Sequence, residues 1–302
     1  MSKPALWWQA CRPFSLTVSF TPPLIVAILA ARFGGVRLSP WNVLLTLVGC
    51  MAAHIGANMV SDCMDYRKRV DRPGTFGSSG VLVNGAMTPR QLMSGGIAFY
   101  ALAGAIGLYY LLTHPAWPLL LGLVAVGGIL GFFYTVPPFE FKYRALGDFA
   151  VFFSFGPLMG LGAWVVHTRS FSWLPVLTMV PVGFLVDAVL HGNNLRDIES
   201  DGEVGVRTVP GRIGVRGAKV MCFLLVIGAY LGMALLVLGG QLPRTALLVF
   251  LTVPLAVRVL RKVAAKERLE KAVFATIDAE MAQLHLPFSL LLALGLFVSP
   301  WL

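Results

Sequence analysis

Two stretches of this chain carry side chains that can do chemistry together: Asn58-Met-Val-Ser-Asp62-Cys-Met-Asp65 and Asn194-Leu-Arg-Asp197-Ile-Glu-Ser-Asp201. Each sets an amide and two carboxylates at i, i+3 or i+4, and i+7, which is one face of a helix. Carboxylates crowded on one face repel each other unless a cation lies between them. Two such clusters fit a divalent-metal site that holds a diphosphate. Mg2+ suits it, because it takes carboxylate oxygens, keeps waters and bridges to phosphate. In the first stretch Asn58, Asp62 and Asp65 stack, Ser61 lies one position off, and Asp71 follows the basic run Arg67-Lys68-Arg69. In the second, Asn193 adjoins the face set by Asn194, Asp197 and Asp201, and Glu199 falls outside it. Taken singly, either stretch also reads as helix-terminal carboxylates paired with arginines at a membrane surface.

Chemistry on a diphosphate needs positive charge opposite the metal. Arg67, Lys68 and Arg72 follow the first stretch, and Arg207 and Arg212 follow the second. Lys142 and Arg144 lie in another basic loop, and Arg12 precedes the first apolar run. Two or three of this set are expected to touch phosphate, while the rest anchor topology. When an allylic diphosphate ionises, such charges stabilise the departing group. His191 and Asp187 stand a turn or more before the second stretch, inside an apolar run. His191 reads either as a core histidine or as the group that contacts, or takes a proton from, a phenolic acceptor. Asp148 reads as a helix N-terminal dipole partner.

The elements that carry these groups are membrane helices. Of the 302 residues 57% are hydrophobic and 13% charged, with a mean hydropathy of +0.77. A water-soluble domain is nearer a quarter charged, so the class is integral membrane. Apolar runs long enough to span fall near 14–31, 42–60, 95–113, 118–134, 147–167, 175–192, 220–239, 245–260 and 281–299. The expected fold class is therefore all-α, a polytopic bundle of about nine transmembrane helices forming a single domain over 1–302. The matching motifs at the ends of helices 2 and 6 read as a weak internal repeat.

All lysines and arginines except Arg32, Arg37, Arg169 and Arg244 fall at the N-terminus, within the eighth run, or in the loops after helices 2, 4, 6 and 8. That asymmetry predicts a cytoplasmic N-terminus, an outside C-terminus, and both motifs facing the cytoplasm of a bacterial-type cell membrane. The net charge of +10 is thus topological, and nothing points to nucleic acid or to an obligate protein partner. Met1 to Arg12 reads as a polar-aromatic lead into the first span, without a cleavable signal. The four cysteines show no disulfide or zinc spacing. A cation transporter is the rival reading, but it calls for carboxylates at mid-membrane instead of at basic helix ends.

The motifs resemble those of the UbiA superfamily of intramembrane prenyltransferases across nearly the whole chain. That family carries N-D-x-x-D after helix 2 and D-x-x-x-D after helix 6. Here the counterparts are Ser61-Asp62-Cys63-Met64-Asp65, with Asp71 trailing, and Asp197-Ile-Glu-Ser-Asp201. Asn193-Asn-Leu-Arg-Asp-Ile-Glu-Ser-Asp201, Gly205-Val-Arg-Thr208 and Arg212-Ile-Gly214 are similar to the branch that prenylates 1,4-dihydroxy-2-naphthoate. So are Asp65-Tyr-Arg-Lys and Tyr-Arg-Ala-Leu-Gly-Asp148. Ser61 replaces the family asparagine, and Arg69 stands where that branch commonly has glycine. The resemblance implies nine helices round a central cavity, with Asp62, Asp65, Asp71, Asp197 and Asp201 holding Mg2+ and a polyprenyl diphosphate. It further implies alkylation of an aromatic acceptor, with decarboxylation to demethylmenaquinone. Other acceptors (4-hydroxybenzoate, a glyceryl phosphate) and terpene cyclisation remain the alternatives.

Overall fold

The computed structural model describes residues 2–299. Helices follow one another as α1 (Lys3–Ala10), α2 (Thr17–Phe33), α3 (Pro40–Arg67), α4 (Pro89–Thr113), α5 (Trp117–Phe132), α6 (Gly147–Phe153) and α7 (Met159–Thr168). Then come α8 (Trp173–Arg196), α9 (Ile198–Glu203), α10 (Val209–Leu238), α11 (Val253–Ala264), α12 (Lys271–Phe274) and α13 (Ile277–Val298). The only β-type pairing among the described residues is an isolated bridge between Arg144 and Arg207. The long helices begin where local chemistry starts them. Ser39 precedes Pro40, and its hydroxyl accepts from Asn42 N. Thr88 forms a capping box with Gln91 ahead of α4, and Thr208 accepts from Gly211 N ahead of α10.

Among the described residues seven segments are long and apolar enough to cross a membrane: 13–33, 40–67, 89–113, 147–168, 173–196, 209–238 and 271–298. This is an integral membrane protein. The count of nine is not reached on that basis. α5 has 16 residues, about 24 Å of helix against a hydrocarbon core of about 30 Å. The run expected at 245–260 splits into a 3₁₀ segment, Arg244–Thr252, followed by α11.

With lipid outside, apolar burial does not drive one helix onto another, so close contact depends on small residues. A Cβ placed on Gly96 of α4 would lie 2.9 Å from Val60 Cγ2 of α3, which only glycine permits. Gly183 of α8 and Gly156 stand in the same relation: a Cβ on either would lie 3.1 Å from the other's Cα. Gly156 belongs to a π-helical turn, Ser154–Leu158, between α6 and α7. Pro157 sits in that turn and lacks a backbone N–H. The turn brings Ser154, Phe155 and Leu158 to the wall of a cavity of about 540 Å³. α2 to α8 and Asp278 of α13 supply most of the rest, together with Arg12, Gly77, Tyr134 and Lys142 from the segments between helices.

Candidate active site

The first motif occupies the last turns of α3. Asp62 accepts from Arg12 Nη2 at 2.6 Å, from Ser79 N at 3.0 Å and from Ser79 Oγ at 2.5 Å. Asp65 accepts from Lys142 Nζ at 2.5 Å, Tyr143 Oη at 2.8 Å and Ser61 Oγ at 3.1 Å. Its backbone carbonyl also takes the N–H groups of Val70 and Asp71, which turns the chain back and tucks Asp71 beneath the helix end. Asp71 is buried, and its Oδ2 has no hydrogen-bond partner among the described residues. Burial, then repulsion from Asp65, pushes its pKa up to about 7.

The second motif does not run along one uninterrupted helix as its spacing predicts. α8 ends at Arg196, Asp197 has φ −97° and ψ 10°, and α9 restarts at Ile198. Backbone bonds from Asp197 N to Asn193 O (3.1 Å) and from Asp201 N to Asp197 O (2.9 Å) carry the face across the break. Arg196 grips Asp197 with Nε at 2.9 Å and Nη2 at 2.7 Å, and reaches Asp278 with Nη1 at 3.0 Å. In the orientation that satisfies its neighbours, the Asn193 amide donates to Asp197 Oδ2 at 3.1 Å and accepts from Arg196 Nη2 at 3.2 Å. Burial pushes Asp201 up to about 6, against the pull of Lys142.

The two motifs meet at Gly77. A Cβ built there would lie 3.6 Å from Asp197 Oδ2, 3.8 Å from Asp71 Oδ1 and 4.0 Å from the Asn193 amide. The loop bearing Gly77 is held by Arg12, which donates to Gly77 O, and by Gln9 Nε2, which donates to Ser79 O at 2.7 Å. Among the described residues no three His, Cys, Asp or Glu side chains are gathered round one point as a formed metal cage. Asp62, Asp65 and Asp197 are instead neutralised by Arg12, Lys142 and Arg196. Facing carboxylates and an orphaned buried Asp71 oxygen are still the donor set a hard divalent cation prefers. The residues therefore fit Mg2+, provided the cations now on the carboxylates give way.

Of the basic residues expected to face phosphate, Arg12 and Lys142 reach the carboxylates and line the cavity. Burial opposes the Lys142 charge, but Asp65 outweighs it and the pKa ends above the ordinary lysine value. The others are not brought to the carboxylates. Lys68 pairs with Glu140 at 2.8 Å and lies 4.7 Å from the centre of the Tyr143 ring. Arg72 bonds Glu203 and Ser200 O, tying the loop after the first motif to the second. Arg144 is exposed beside Glu140. Arg67, Arg207 and Arg212 are exposed as well, and Arg207 joins through its backbone N–H to Tyr143 O.

The structure places His191 in the core. It is fully buried, with Nδ1 2.6 Å from Asp148 Oδ1 and Nε2 3.0 Å from Ala218 O. Both ring nitrogens are engaged within the protein and the ring is not among the residues lining the cavity, which fits the core-histidine reading of the sequence. Asn58 donates to Ser15 Oγ at 3.2 Å; Asn58, Ser61, Asn193 and Asn194 all line the cavity. Sequence reasoning did not single out Ser79, Tyr143, Arg196, Asp278 or Gly77 as site residues. Asp278, an acid just ahead of an apolar run, was the readable signal.

Comparison with known proteins gives the family and the fold. Residues 20–286 match the UbiA prenyltransferase family. A Bacillus subtilis (strain 168) protein described as 1,4-dihydroxy-2-naphthoate octaprenyltransferase is 28% identical, over 97% of this chain and 92% of its own. The Mus musculus UbiA prenyltransferase domain-containing protein 1 is 31% identical, over 99% and 85%. The fold is shared with a UbiA homologue from Archaeoglobus fulgidus solved with DMAPP and Mg2+ (TM-score 0.60, 16% identity, 93% of this chain and 98% of that one). The chain belongs to the UbiA prenyltransferase family and is a membrane-embedded prenyltransferase.

Proposed function

We propose that this enzyme transfers a prenyl group from a polyprenyl diphosphate to an aromatic acceptor, 1,4-dihydroxy-2-naphthoate, with loss of the carboxylate to give demethylmenaquinone. The observation that carries the donor half is the cavity itself. One end is lined by Arg12 and Lys142, which bond Asp62 and Asp65 just behind the wall, and by Asn58, Asn193 and Asn194 of the two motifs; the rest is lined by apolar side chains such as Leu45, Leu123 and Leu158. A polyprenyl diphosphate has that same division, charge at one end and hydrocarbon beyond. The acceptor half is supported by the Bacillus subtilis relative's description and by the sequence motifs already described.

Asp62, Asp65, Asp71, Asp197 and Asp201 would hold Mg2+, which when bound neutralises the diphosphate and stabilises it as it leaves. Arg12 and Lys142 are placed to leave their carboxylates and follow the negative charge onto the phosphates. Asn58, Asn193 and Asn194 present amides at the rim, where they orient the head group. The allylic carbon loses its bond to oxygen and gains one to the ring. Departure of the carboxylate as CO2 then restores the aromatic ring. The lysine and arginine distribution supports a cytoplasmic mouth.

The test is product formation by purified protein in detergent, with Mg2+ or EDTA. Farnesyl, geranylgeranyl and longer diphosphates are offered against dihydroxynaphthoate and 4-hydroxybenzoate. Prenylated, decarboxylated naphthoquinol that vanishes with EDTA is the expected result. Diphosphate release without that product moves the reaction to another acceptor or to cyclisation, and no consumption of any donor refutes the proposal.

A further inference from the structure

We infer that His54 is the residue that touches the aromatic acceptor, accepting a hydrogen bond from its ring hydroxyl through Nε2. The inference rests on the prenyl-transfer reading above and adds to it the group that recognises the acceptor. His54 lies on the cavity wall, four residues before Asn58 on the same face of α3. That puts it about 6 Å along the helix below the amide rim. It is nine-tenths buried, yet only Nδ1 has a protein partner among the described residues, Ser19 Oγ at 3.0 Å.

The proton on the imidazole can be placed from that contact. Leu16 O stands 3.2 Å from Ser19 Oγ; with the hydroxyl proton on that carbonyl, the arrangement this inference takes, Ser19 accepts from His54 and Nδ1 carries the hydrogen. Nε2 is then the lone-pair nitrogen of a neutral ring, and it opens on the cavity. Phe155, whose ring centre is 4.9 Å away at 72°, fixes the plane of the imidazole.

An acceptor that opens on a largely apolar cavity without a protein donor is a place for a substrate hydroxyl to bond. The prenyl donor cannot supply it, because all its polar atoms are at the diphosphate end and carry no hydrogen to give once metal-bound. Further along the same helix face, Thr46 satisfies its own hydroxyl on Asn42 O and Val43 O. A hydroxylated ring lying one turn below the diphosphate meets the need. The same contact gives the hydroxyl proton somewhere to go. As the ring carbon bearing the carboxylate bonds to the allylic carbon, diphosphate leaves with the electron pair of the broken C–O bond. The neighbouring hydroxyl becomes a carbonyl and its proton moves to Nε2. The intermediate is a β-keto acid, whose loss of CO2 returns an electron pair to that oxygen, and the oxygen takes the proton back.

The experiment compares wild type, His54→Ala, His54→Gln and Ser19→Ala. Two acceptors are used, dihydroxynaphthoate and its 1-methoxy ether, which has no hydrogen to donate at that position. Binding of geranylgeranyl diphosphate with Mg2+ reports on the fold of each variant. The expected result is a kcat/KM for dihydroxynaphthoate about 100-fold lower in His54→Ala, with donor binding unchanged. His54→Gln should recover part of the loss, since its amide oxygen can still accept, and Ser19→Ala should fall between. The methoxy ether should cost wild type as much as His54→Ala costs the natural acceptor, with no further loss when the two are combined. Independent, multiplying losses would overturn the inference, as would an unchanged rate in His54→Ala. A His54→Ala protein that has lost donor binding leaves His54→Gln and the ether comparison in wild type to decide it. Wild type inert towards every hydroxylated ring sinks the prenyl-transfer reading itself, a distinct outcome.

Discussion

Replacing Lys142 by methionine removes the cation nearest the centre of the carboxylate cluster while keeping most of its apolar stem. Lys142 Nζ lies 2.5 Å from Asp65 Oδ2, and the carboxylate is 1% exposed. At an effective dielectric constant of 20 that attraction has an upper bound of roughly 7 kcal/mol. Burial of both groups offsets part of it, and breaking such a pair by removing one partner costs about 3–5 kcal/mol. Tyr143 and Ser61 still donate to Asp65, which favours the lower end. Lys142 also holds down the pKa values of Asp71 and Asp201, so both rise further in the variant. Mg2+ supplies the positive charge that has been removed. The expected result is a Lys142→Met protein that unfolds at clearly lower temperature than wild type in EDTA, with at least half the difference recovered at saturating Mg2+. Turnover stays well below wild type even then, because Lys142 lines the cavity at the diphosphate end. Thermal unfolding in detergent, followed by circular dichroism with and without EDTA, reads this directly. Equal midpoints in EDTA, or a deficit that Mg2+ does not touch, would refute the idea that lysine and metal share one carboxylate.

Asp65→Asn and Asp201→Asn are each expected to abolish turnover without loss of the folded protein; a near-normal rate in either variant, measured by diphosphate release, counts against the metal assignment. The raised pKa values of Asp71 (about 7) and Asp201 (about 6) set a pH dependence of definite sign. Folded-state values above the unfolded one mean a stability contribution complete below about pH 4 and lost as pH rises through 6–7 in metal-free protein. Metal binding needs the ionised forms, so Mg2+ affinity should run the other way, weakening about 20-fold from pH 8 to pH 6. Calorimetric Mg2+ titrations at the two pH values, beside melting curves in EDTA, check both signs. Gly77→Ala places a methyl group 3.6–3.8 Å from Asp197 and Asp71 oxygens, ordinary contact for the fold but in the space between the motifs. It should weaken Mg2+ and diphosphate binding at nearly unchanged melting temperature, and unaltered affinity would show that the ion sits elsewhere.

The membrane class, the positions of the apolar runs and the two acidic faces were all legible in the sequence, because each is a local property. A span is twenty-odd neighbouring residues, and a helix face is a spacing of three, four and seven. Even there local reading had limits. Nothing in the apolar pattern revealed that α5 stops at 16 residues or that 244–252 winds as a 3₁₀ helix. Which cation answers which carboxylate was decided by tertiary structure alone. Lys142 reaches Asp65 across 77 residues and Arg12 reaches Asp62 across 50, whereas Arg67 and Lys68, close in sequence to the motif, point away. All the basic residues of these loops look alike in sequence, since each satisfies the charge asymmetry of the membrane. Only the folded chain selects Arg12 and Lys142 for the buried acids of the first motif and Arg196 for Asp197 of the second. The same holds for the two histidines. Within an apolar run each is simply a polar residue needing a partner, and only packing shows that His191 has two inside the protein while His54 keeps one nitrogen for the cavity.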